Sequence, residues 1–172
     1  MIPPFDAKGL LPAGIHAADW PEFAARFGFS DRRRRLLGGL EAALRSLRDA
    51  GCTLAYVDGS FVTAKKEPGD FDACWGVAGV DPGLLDPVLL DFGDGRAAQK
   101  ARYGGELFPA ELPEGISGRT FLEFFQTDRD TGAAKGIVSI ALATQAFGHE
   151  AVTPQAMKLE AVTPEAIGEE ER

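Results

Sequence analysis

The stretch "VDGSFVTAKKEPGDFDACW", residues 57–75, decides the fold because it joins two apolar runs through a glycine-serine turn and a pair of aspartates. Gly59 and Ser60 end the first run, and Asp70 and Asp72 lie in the second. Side chains alternate between the two faces of a strand. The two carboxylates therefore share one face with Cys74, and the predicted core-facing side chains are Phe71, Ala73 and Trp75.

Two carboxylates about 7 Å apart, two strand residues from one another, repel each other and are costly in a half-buried sheet unless a cation compensates them. Mg²⁺ suits this role because it binds carboxylate oxygens and leaves positions for phosphate and water. Gly59 allows a backbone to approach a phosphate closely, and Ser60 adds a hydroxyl donor. The pattern predicts a site for the phosphates of a nucleotide.

Both helices and extended segments are predicted on either side of this stretch. An extended arm covers residues 2–18, and a short helix begins after the N-cap Asp19. A longer helix begins after Ser30 and stops at Gly51. Residues 52–57 and 71–77 have strand composition, residues 81–92 favour short helical turns, and residues 95–105 favour a helix that Gly104 or Gly105 ends.

Two further strands are predicted near the end of the domain, "TFLEFFQ" at 120–126 and "GIVSIAL" at 136–142, joined as a hairpin by a polar turn. After residue 148 the chain nearly repeats itself, with "AVTPQAMKLE" followed by "AVTPEAIGEE". Two ten-residue units cannot form a core, so residues 149–172 are interpreted as a tail or partner-binding segment. Residues 1–148 form the predicted domain, in the α+β (α/β) class.

Composition excludes several classes of function. The chain has 172 residues and a net charge of −8, which argues against wrapping duplex nucleic acid. No apolar stretch approaches the roughly 20 residues of a membrane span, and no secretory signal is recognisable. Cys52 and Cys74 are predicted to be free thiols in a reducing cytoplasm. His16 and His149 lie too far apart in sequence to indicate a zinc site.

The run Arg32–Arg35 is interpreted as the solvated first turn of the second helix. Arginine at that end opposes the helix dipole, which leaves an acidic partner as the alternative.

Gly59-Ser60, nine intervening residues and then Asp70-Phe71-Asp72 resemble the signature of the DNA polymerase β-type nucleotidyltransferase superfamily. The sequence is most similar to small bacterial proteins of the minimal nucleotidyltransferase kind, over about residues 2–145. This resemblance implies a nucleotidyltransferase-like mixed β-sheet flanked by helices. It also implies that Mg²⁺ or Mn²⁺, held by Asp70 and Asp72, binds the phosphates of an NTP.

In such enzymes a third carboxylate usually comes from a neighbouring strand, and Glu123 is the candidate, as metal ligand or general base. The candidate phosphate contacts are Lys65, Lys66, Lys100, Arg102 and Lys135, and each also fits an ordinary exposed position. The simpler alternatives for the motif are a tight turn at Gly59-Ser60, turn capping by Asp70 and Asp72, and a sheet-edge position for Glu123.

Two functions follow from the resemblance. The first is Mg²⁺-dependent transfer of an NMP from an NTP to a protein, an RNA or a small molecule, in a toxin–antitoxin or phage-defence system. The second is an inactive nucleotidyltransferase-like binding module that acts on a protein partner. Lysines replace the arginine that often follows the Gly-Ser pair, and the acidic surface and repeated tail also favour the binding module.

Overall fold

A mixed five-stranded sheet with helices packed against it forms the protein, as described by a computed structural model over residues 1–129, 131–145 and 147. The predicted fold class is confirmed. The strands are β1 Gly14–Ala18, β2 Leu54–Asp58, β3 Phe71–Trp75, β4 Gly105–Pro109 and β5 Gly136–Ala141. The helices are α1 Trp20–Phe27, α2 Asp31–Asp49, α3 Ala97–Tyr103 and α4 Phe121–Phe125, with short 3₁₀ turns at Gly59–Val62 and Pro87–Leu90.

The strand order is β1-β5-β2-β3-β4. β1 pairs in parallel with β5, and β3 pairs in parallel with β4. β2 lies between them and is antiparallel to both β5 and β3. Part of the predicted extended arm is thus the edge strand β1.

The local signals for the first two helices are confirmed. Asp19 caps α1 by accepting a hydrogen bond from the backbone N–H of Glu22, and Ser30 caps α2 by accepting one from Arg33. Leu40, Leu44 and Leu47 of α2 are fully buried. α1 and α2 cover one face of the sheet, where their apolar stripes form the main core with alternate strand residues.

The predicted alternation along β3 is also confirmed. Phe71, Ala73 and Trp75 belong to the main core. Cys74 belongs to a second, smaller cluster on the opposite face, with Phe108 and Phe125. Asp72 therefore lies on the face of the sheet that α1 and α2 do not cover.

The predicted strand at 120–126 is wrong, because Phe121–Phe125 is the helix α4. Thr120 and Glu123 form a reciprocal capping box, in which each side chain accepts a hydrogen bond from the other residue's backbone N–H. The predicted hairpin is wrong for the same reason. β5 pairs with β1 and β2 instead, and an isolated bridge between Thr127 and Ala134 closes the intervening loop.

The predicted repeat-containing tail, residues 149–172, lies outside the described residues. Within the described ranges, no helix has both the length and the apolar character needed to cross a bilayer.

Candidate functional site

Three carboxylates stand side by side on the face of the sheet that α1 and α2 leave uncovered. Asp58 ends β2 and pairs with Asp72 of β3, which in turn pairs with Glu106 of β4. Directly opposed residues on neighbouring strands project to the same face, with their Cβ atoms about 5 Å apart. We call Asp58, Asp72 and Glu106 the carboxylate row.

The carboxylate row is shielded from water, and this burial raises the pKa values of Asp58 and Asp72. Asp58 is only 3% exposed, and burial raises the pKa of its carboxyl to about 6, against the opposing charge of Lys135. Burial also raises the pKa of Asp72 to about 7, and the negative charges of Asp70, Asp58 and Glu106 add to that shift. The ionised form of Asp72 therefore lacks sufficient positive charge around it.

Cations compensate the two outer members of the row. Lys135 Nζ lies 3.2 Å from Asp58 Oδ1, although this buried oxygen has no partner in hydrogen-bond geometry. Glu106 accepts two hydrogen bonds of 3.1 Å from Arg96 and lies 2.6 Å from Lys100 Nζ. The Asp72 carboxylate, between them, makes no hydrogen bond or ion pair with any residue in the described ranges.

Asp70 immediately precedes β3, and its carboxylate lies 3.8 Å from Lys100 Nζ. Lys100 therefore bridges Asp70 and Glu106. The charge of Asp70 contributes to the raised pKa of Asp72. The two aspartates of the motif thus act on the same corner of the sheet, as the alternation predicts.

The Gly59-Ser60 turn follows Asp58 directly. Gly59 has φ +75°, and a Cβ placed there would overlap Asp72 Oδ2. Glycine is required here on both counts. The residues after it form one short 3₁₀ turn, Gly59–Val62, rather than an extended helix. Any phosphate contact at this turn would therefore come from individual backbone or side-chain donors.

A cavity of about 1180 Å³ opens over the carboxylate row. Its walls include the three carboxylates, the Gly59-Ser60 turn, Lys65, Lys100 and Lys135. Gly59, Ser60 and Asp72 of the motif and three of the predicted phosphate-contact residues thus border one space, whereas Asp70 does not line it.

Three other predicted site residues lie elsewhere. Lys66 is exposed and does not line the cavity, and Arg102 lies 3.5 Å from Asp86. Glu123 is not on a neighbouring strand: it is exposed in the first turn of α4, where its hydrogen bonds to Thr120 hold the pKa of its carboxyl below the ordinary value. The carboxylate that neighbours Asp72 on the adjacent strand is Glu106, in β4, and not Glu123.

Sequence reasoning missed Asp58, Glu106 and Arg96. Asp58 adjoins the Gly-Ser pair and directly follows the strand predicted at 52–57, which the structure extends to include it. Glu106 lies in a five-residue strand that starts directly after Gly104, the C-cap of α3, and ends at Pro109. So short a segment, bounded by glycine and proline, has no recognisable strand pattern. Arg96 has φ +60°, an uncommon backbone conformation for a non-glycine residue that no sequence pattern here indicates.

Two of the four arginines in the run Arg32–Arg35 are anchored to the site, whereas Arg34 and Arg35 are exposed. Arg33 is fully buried and donates hydrogen bonds to the backbone carbonyls of Phe61, Thr63 and Lys65. Arg32 donates to the carbonyls of Pro68 and Gly69. These two residues hold the connection between the Gly-Ser turn and β3, so the interpretation of a wholly exposed first turn is wrong.

The carboxylate oxygens of the carboxylate row are chemically suited to bind a hard divalent cation. Carboxylate oxygens are the ligands that Mg²⁺ prefers, and the Asp72 carboxylate has no partner among the described residues. Across those residues, however, no three His, Cys, Asp or Glu side chains are grouped closely enough to hold a metal ion as they stand. Glu106 is engaged by Arg96 and Lys100, so a metal site would require Glu106 to exchange these partners.

The raised pKa values predict that stability falls as pH rises. Unfolded aspartates titrate near 3.8, whereas folded Asp58 and Asp72 titrate near 6 and 7. The folded protein therefore binds more protons between these values, so protonation stabilises it at low pH and this contribution is lost as pH rises through 7. We expect the free energy of unfolding to fall by about 2 to 4 kcal/mol between pH 5 and pH 8.

Urea unfolding in metal-free buffer at several pH values measures this change. Groups with lowered pKa values, such as Asp31 and Asp86, act mainly below this range and with the opposite sign. A free energy of unfolding that stays constant or rises from pH 5 to pH 8 contradicts the expected burial of unpaired charge.

Comparison with known proteins gives a family and no activity. No curated protein and no solved structure matches the chain. Residues 3–141, which contain all five strands and the carboxylate row, match the family of unknown function DUF6932. Since the match covers most of the sequence, the chain is a member of the DUF6932 family.

Proposed function

We propose that the protein is a Mg²⁺- or Mn²⁺-dependent nucleotidyltransferase that moves an NMP from an NTP to an acceptor on a protein, an RNA or a small molecule. One observation carries the proposal: the Asp72 carboxylate, between Asp58 and Glu106 and beside the Gly59-Ser60 turn, has no partner among the described residues. A divalent cation with bound phosphates supplies the missing positive charge and the missing ligand together.

The divalent ion would be held by Asp70, Asp72 and Glu106. When bound, it would neutralise triphosphate oxygens and the charge that develops on departing pyrophosphate. Lys100 and Arg96, which now contact Glu106, lie where they can transfer their hydrogen bonds to the phosphates. That exchange would free Glu106 for the role that the sequence assigned to Glu123, as metal ligand or general base.

The reaction is a displacement at the α-phosphorus. The acceptor hydroxyl or amine forms a bond to this phosphorus, and the bond between it and the oxygen bridging to the β-phosphorus breaks. Pyrophosphate leaves, and the acceptor proton passes to a carboxylate or to solvent. The protein's contribution is to position the reactants and offset charge, which matches a site made of carboxylates and cations rather than of nucleophiles.

The decisive comparison is between Glu106→Gln and Glu123→Gln. Each removes one negative charge and preserves side-chain shape. We expect Glu106→Gln to lower Mg²⁺-dependent transfer about 100-fold and Glu123→Gln to leave transfer within about 2-fold, since glutamine can replace glutamate in a capping box.

The assay incubates each variant with Mg²⁺, α-³²P-labelled NTPs and a cell lysate that supplies acceptors. Thermal melts of the same variants measure the cost to the fold. Equal labelling by Glu106→Gln and the wild type would reject the assignment of Glu106, and no Mg²⁺-dependent labelling by the wild type with any of the four NTPs rejects the enzyme.

A specific observation also favours a second candidate, an inactive nucleotide-binding module with a protein partner. Glu106 and Asp58 are already compensated by Arg96, Lys100 and Lys135 without a metal ion. Such a module would bind an NTP through these cations. Stabilisation by NTPs in the absence of Mg²⁺, together with no labelled product, would support the module over the enzyme.

We also propose that the protein acts in a reducing cytoplasm. Cys52 and Cys74 are both buried free thiols, and Cys52 Sγ donates to the backbone carbonyls of Leu54 and Gly76. Neither thiol is used by the proposed reaction.

A further inference from the structure

The cavity over the carboxylate row has a second wall of different chemistry. Four phenylalanines line it: Phe108 of β4 and three residues of α4, Phe121, Phe124 and Phe125. We call these four residues the aromatic wall. The proposed chemistry with metal and phosphates uses none of them.

The aromatic wall begins two residues further along β4 than the carboxylate row. Glu106 and Phe108 are two residues apart on β4, so their side chains share a face at a spacing of about 7 Å. A ribose 5-phosphate spans a comparable length between its phosphorus and its base. The Arg96 guanidinium lies between the two regions, hydrogen-bonded to Glu106 and 5.3 Å from the centre of the Phe108 ring.

The rings of the wall differ in how open they are. Phe108 is buried and stacks on Phe121, with ring centres 4.3 Å apart, and on Phe92 at 6.2 Å. Phe125 is also buried. Phe121 is partly buried, and Phe124 is 38% exposed although it lines the cavity. Phe121 and Phe124 therefore provide the open aromatic surface.

The charge of the cavity wall contrasts with that of the chain. The whole sequence has 18 basic and 26 acidic residues. Among the described residues that line the cavity, basic side chains number six and acidic side chains five. The basic ones are Lys65, Arg96, Lys100, Arg119, Arg129 and Lys135. In a protein that is acidic overall, this nearly balanced lining is more favourable to an anionic ligand than the rest of the surface, and the adjacent rings favour one with a planar aromatic group.

We propose that the aromatic wall is the nucleobase subsite, in which the base of the NTP stacks on Phe124 and Phe121 while its phosphates lie at the carboxylate row. This inference rests on the proposed function and specifies how that site holds its substrate. The four phenylalanines offer faces and no hydrogen-bond groups, so stacking recognises an aromatic ring in general. Purines, with the larger ring system, bind more tightly than pyrimidines.

The test compares ATP with inorganic triphosphate, each with Mg²⁺, for the wild type and Phe124→Ala. Base stacking contributes about 1 to 3 kcal/mol. Phe124→Ala should therefore raise the Kd for ATP about 5- to 150-fold and leave the Kd for inorganic triphosphate within about 2-fold. Phe124→Tyr retains an aromatic face and should keep the wild-type Kd for ATP.

Phe92→Ala is the matched control, since Phe92 is also an exposed ring beside Phe108 but does not line the cavity. It should leave both Kd values unchanged. If the wild type binds ATP no more tightly than inorganic triphosphate, or Phe124→Ala weakens both equally, the nucleobase subsite is rejected while the phosphate site stands. If the wild type binds neither, the proposed function fails with it.

Discussion

An Asp72→Asn variant should lose Mg²⁺-dependent NMP transfer by about 1000-fold or more while unfolding less readily than the wild type at pH 8. Asparagine preserves the shape of the side chain and removes its charge. The proposed metal site loses its central ligand, whereas the fold loses an ionised, half-buried group that has no partner among the described residues. Activity and stability should therefore change in opposite directions.

The size of the stabilisation follows from the pKa. Burial and the neighbouring carboxylates raise the pKa of Asp72 from 3.8 to about 7. Ionising this group in the folded state at pH 8 therefore costs on the order of 2 to 4 kcal/mol relative to the unfolded chain. The stabilisation by asparagine should therefore be smaller at pH 5, where the folded wild type keeps this carboxyl protonated, than at pH 8.

Label transfer and urea unfolding at pH 5 and pH 8 test both halves of this prediction. Asp49→Asn is the matched control, because Asp49 is a largely exposed aspartate at the end of α2, away from the carboxylate row. It should change transfer by less than about 2-fold and stability by less than about 0.5 kcal/mol. An Asp72→Asn variant that retains full transfer, or that is destabilised at pH 8, contradicts the charge arrangement derived for the row.

Replacing Arg33 by methionine should lower the free energy of unfolding by about 3 to 5 kcal/mol. The Arg33 guanidinium is fully buried and donates to the carbonyls of Phe27, Phe61, Thr63 and Lys65 at 2.5 to 3.2 Å. Methionine fills similar volume without any donor, so the buried carbonyls lose their partners.

Arg33→Lys should recover only part of this loss, since an ammonium group cannot reproduce the planar fork of a guanidinium. Arg35→Met, in the same run but exposed, is the control and should cost less than about 0.5 kcal/mol. Because Arg33 holds the loop that carries Lys65 to the cavity, Arg33→Lys should also weaken NTP binding. A loss for Arg33→Met no larger than that for Arg35→Met contradicts the anchoring role.

Structural features that depend on residues close together in the sequence were predictable. The caps at Asp19 and Ser30 fix the starts of α1 and α2, and Gly104 ends α3 in a left-handed conformation. Alternation along β3 places Asp72 and Phe71 on opposite faces because successive strand residues always do so. The motif from Gly59 to Asp72 is local in the same sense, and Gly59, Ser60 and Asp72 line one cavity.

Features that depend on distant pairing were not predictable in this way. Aromatic composition favours a strand at 120–126, but the Thr120–Glu123 capping box and the three-to-four-residue spacing of the phenylalanines stabilise a helix. The capping box was visible in the sequence and would have removed Glu123 as the third carboxylate. Glu106 joins Asp72 through the register between β3 and β4, which no local pattern of a five-residue strand specifies.

Burial of charge was the other unpredictable feature. Four consecutive arginines at the start of a helix are usually solvated. Arg33 is buried instead because the carbonyls of the Gly59–Val62 turn and the following loop converge on the α2 terminus. That convergence exists only once β2, the turn and α2 have come together.

The most direct measurement is the melting temperature of the wild type at pH 8 with each NTP, with and without Mg²⁺. At a ligand concentration 100 times the Kd, binding adds about 2.7 kcal/mol, which for a chain of this size is roughly 5 to 10 °C. We predict a rise of this size only when NTP and Mg²⁺ are both present, and no such rise for Asp72→Asn. No rise with any NTP, or an equal rise in the variant, would contradict a metal–nucleotide site at the carboxylate row.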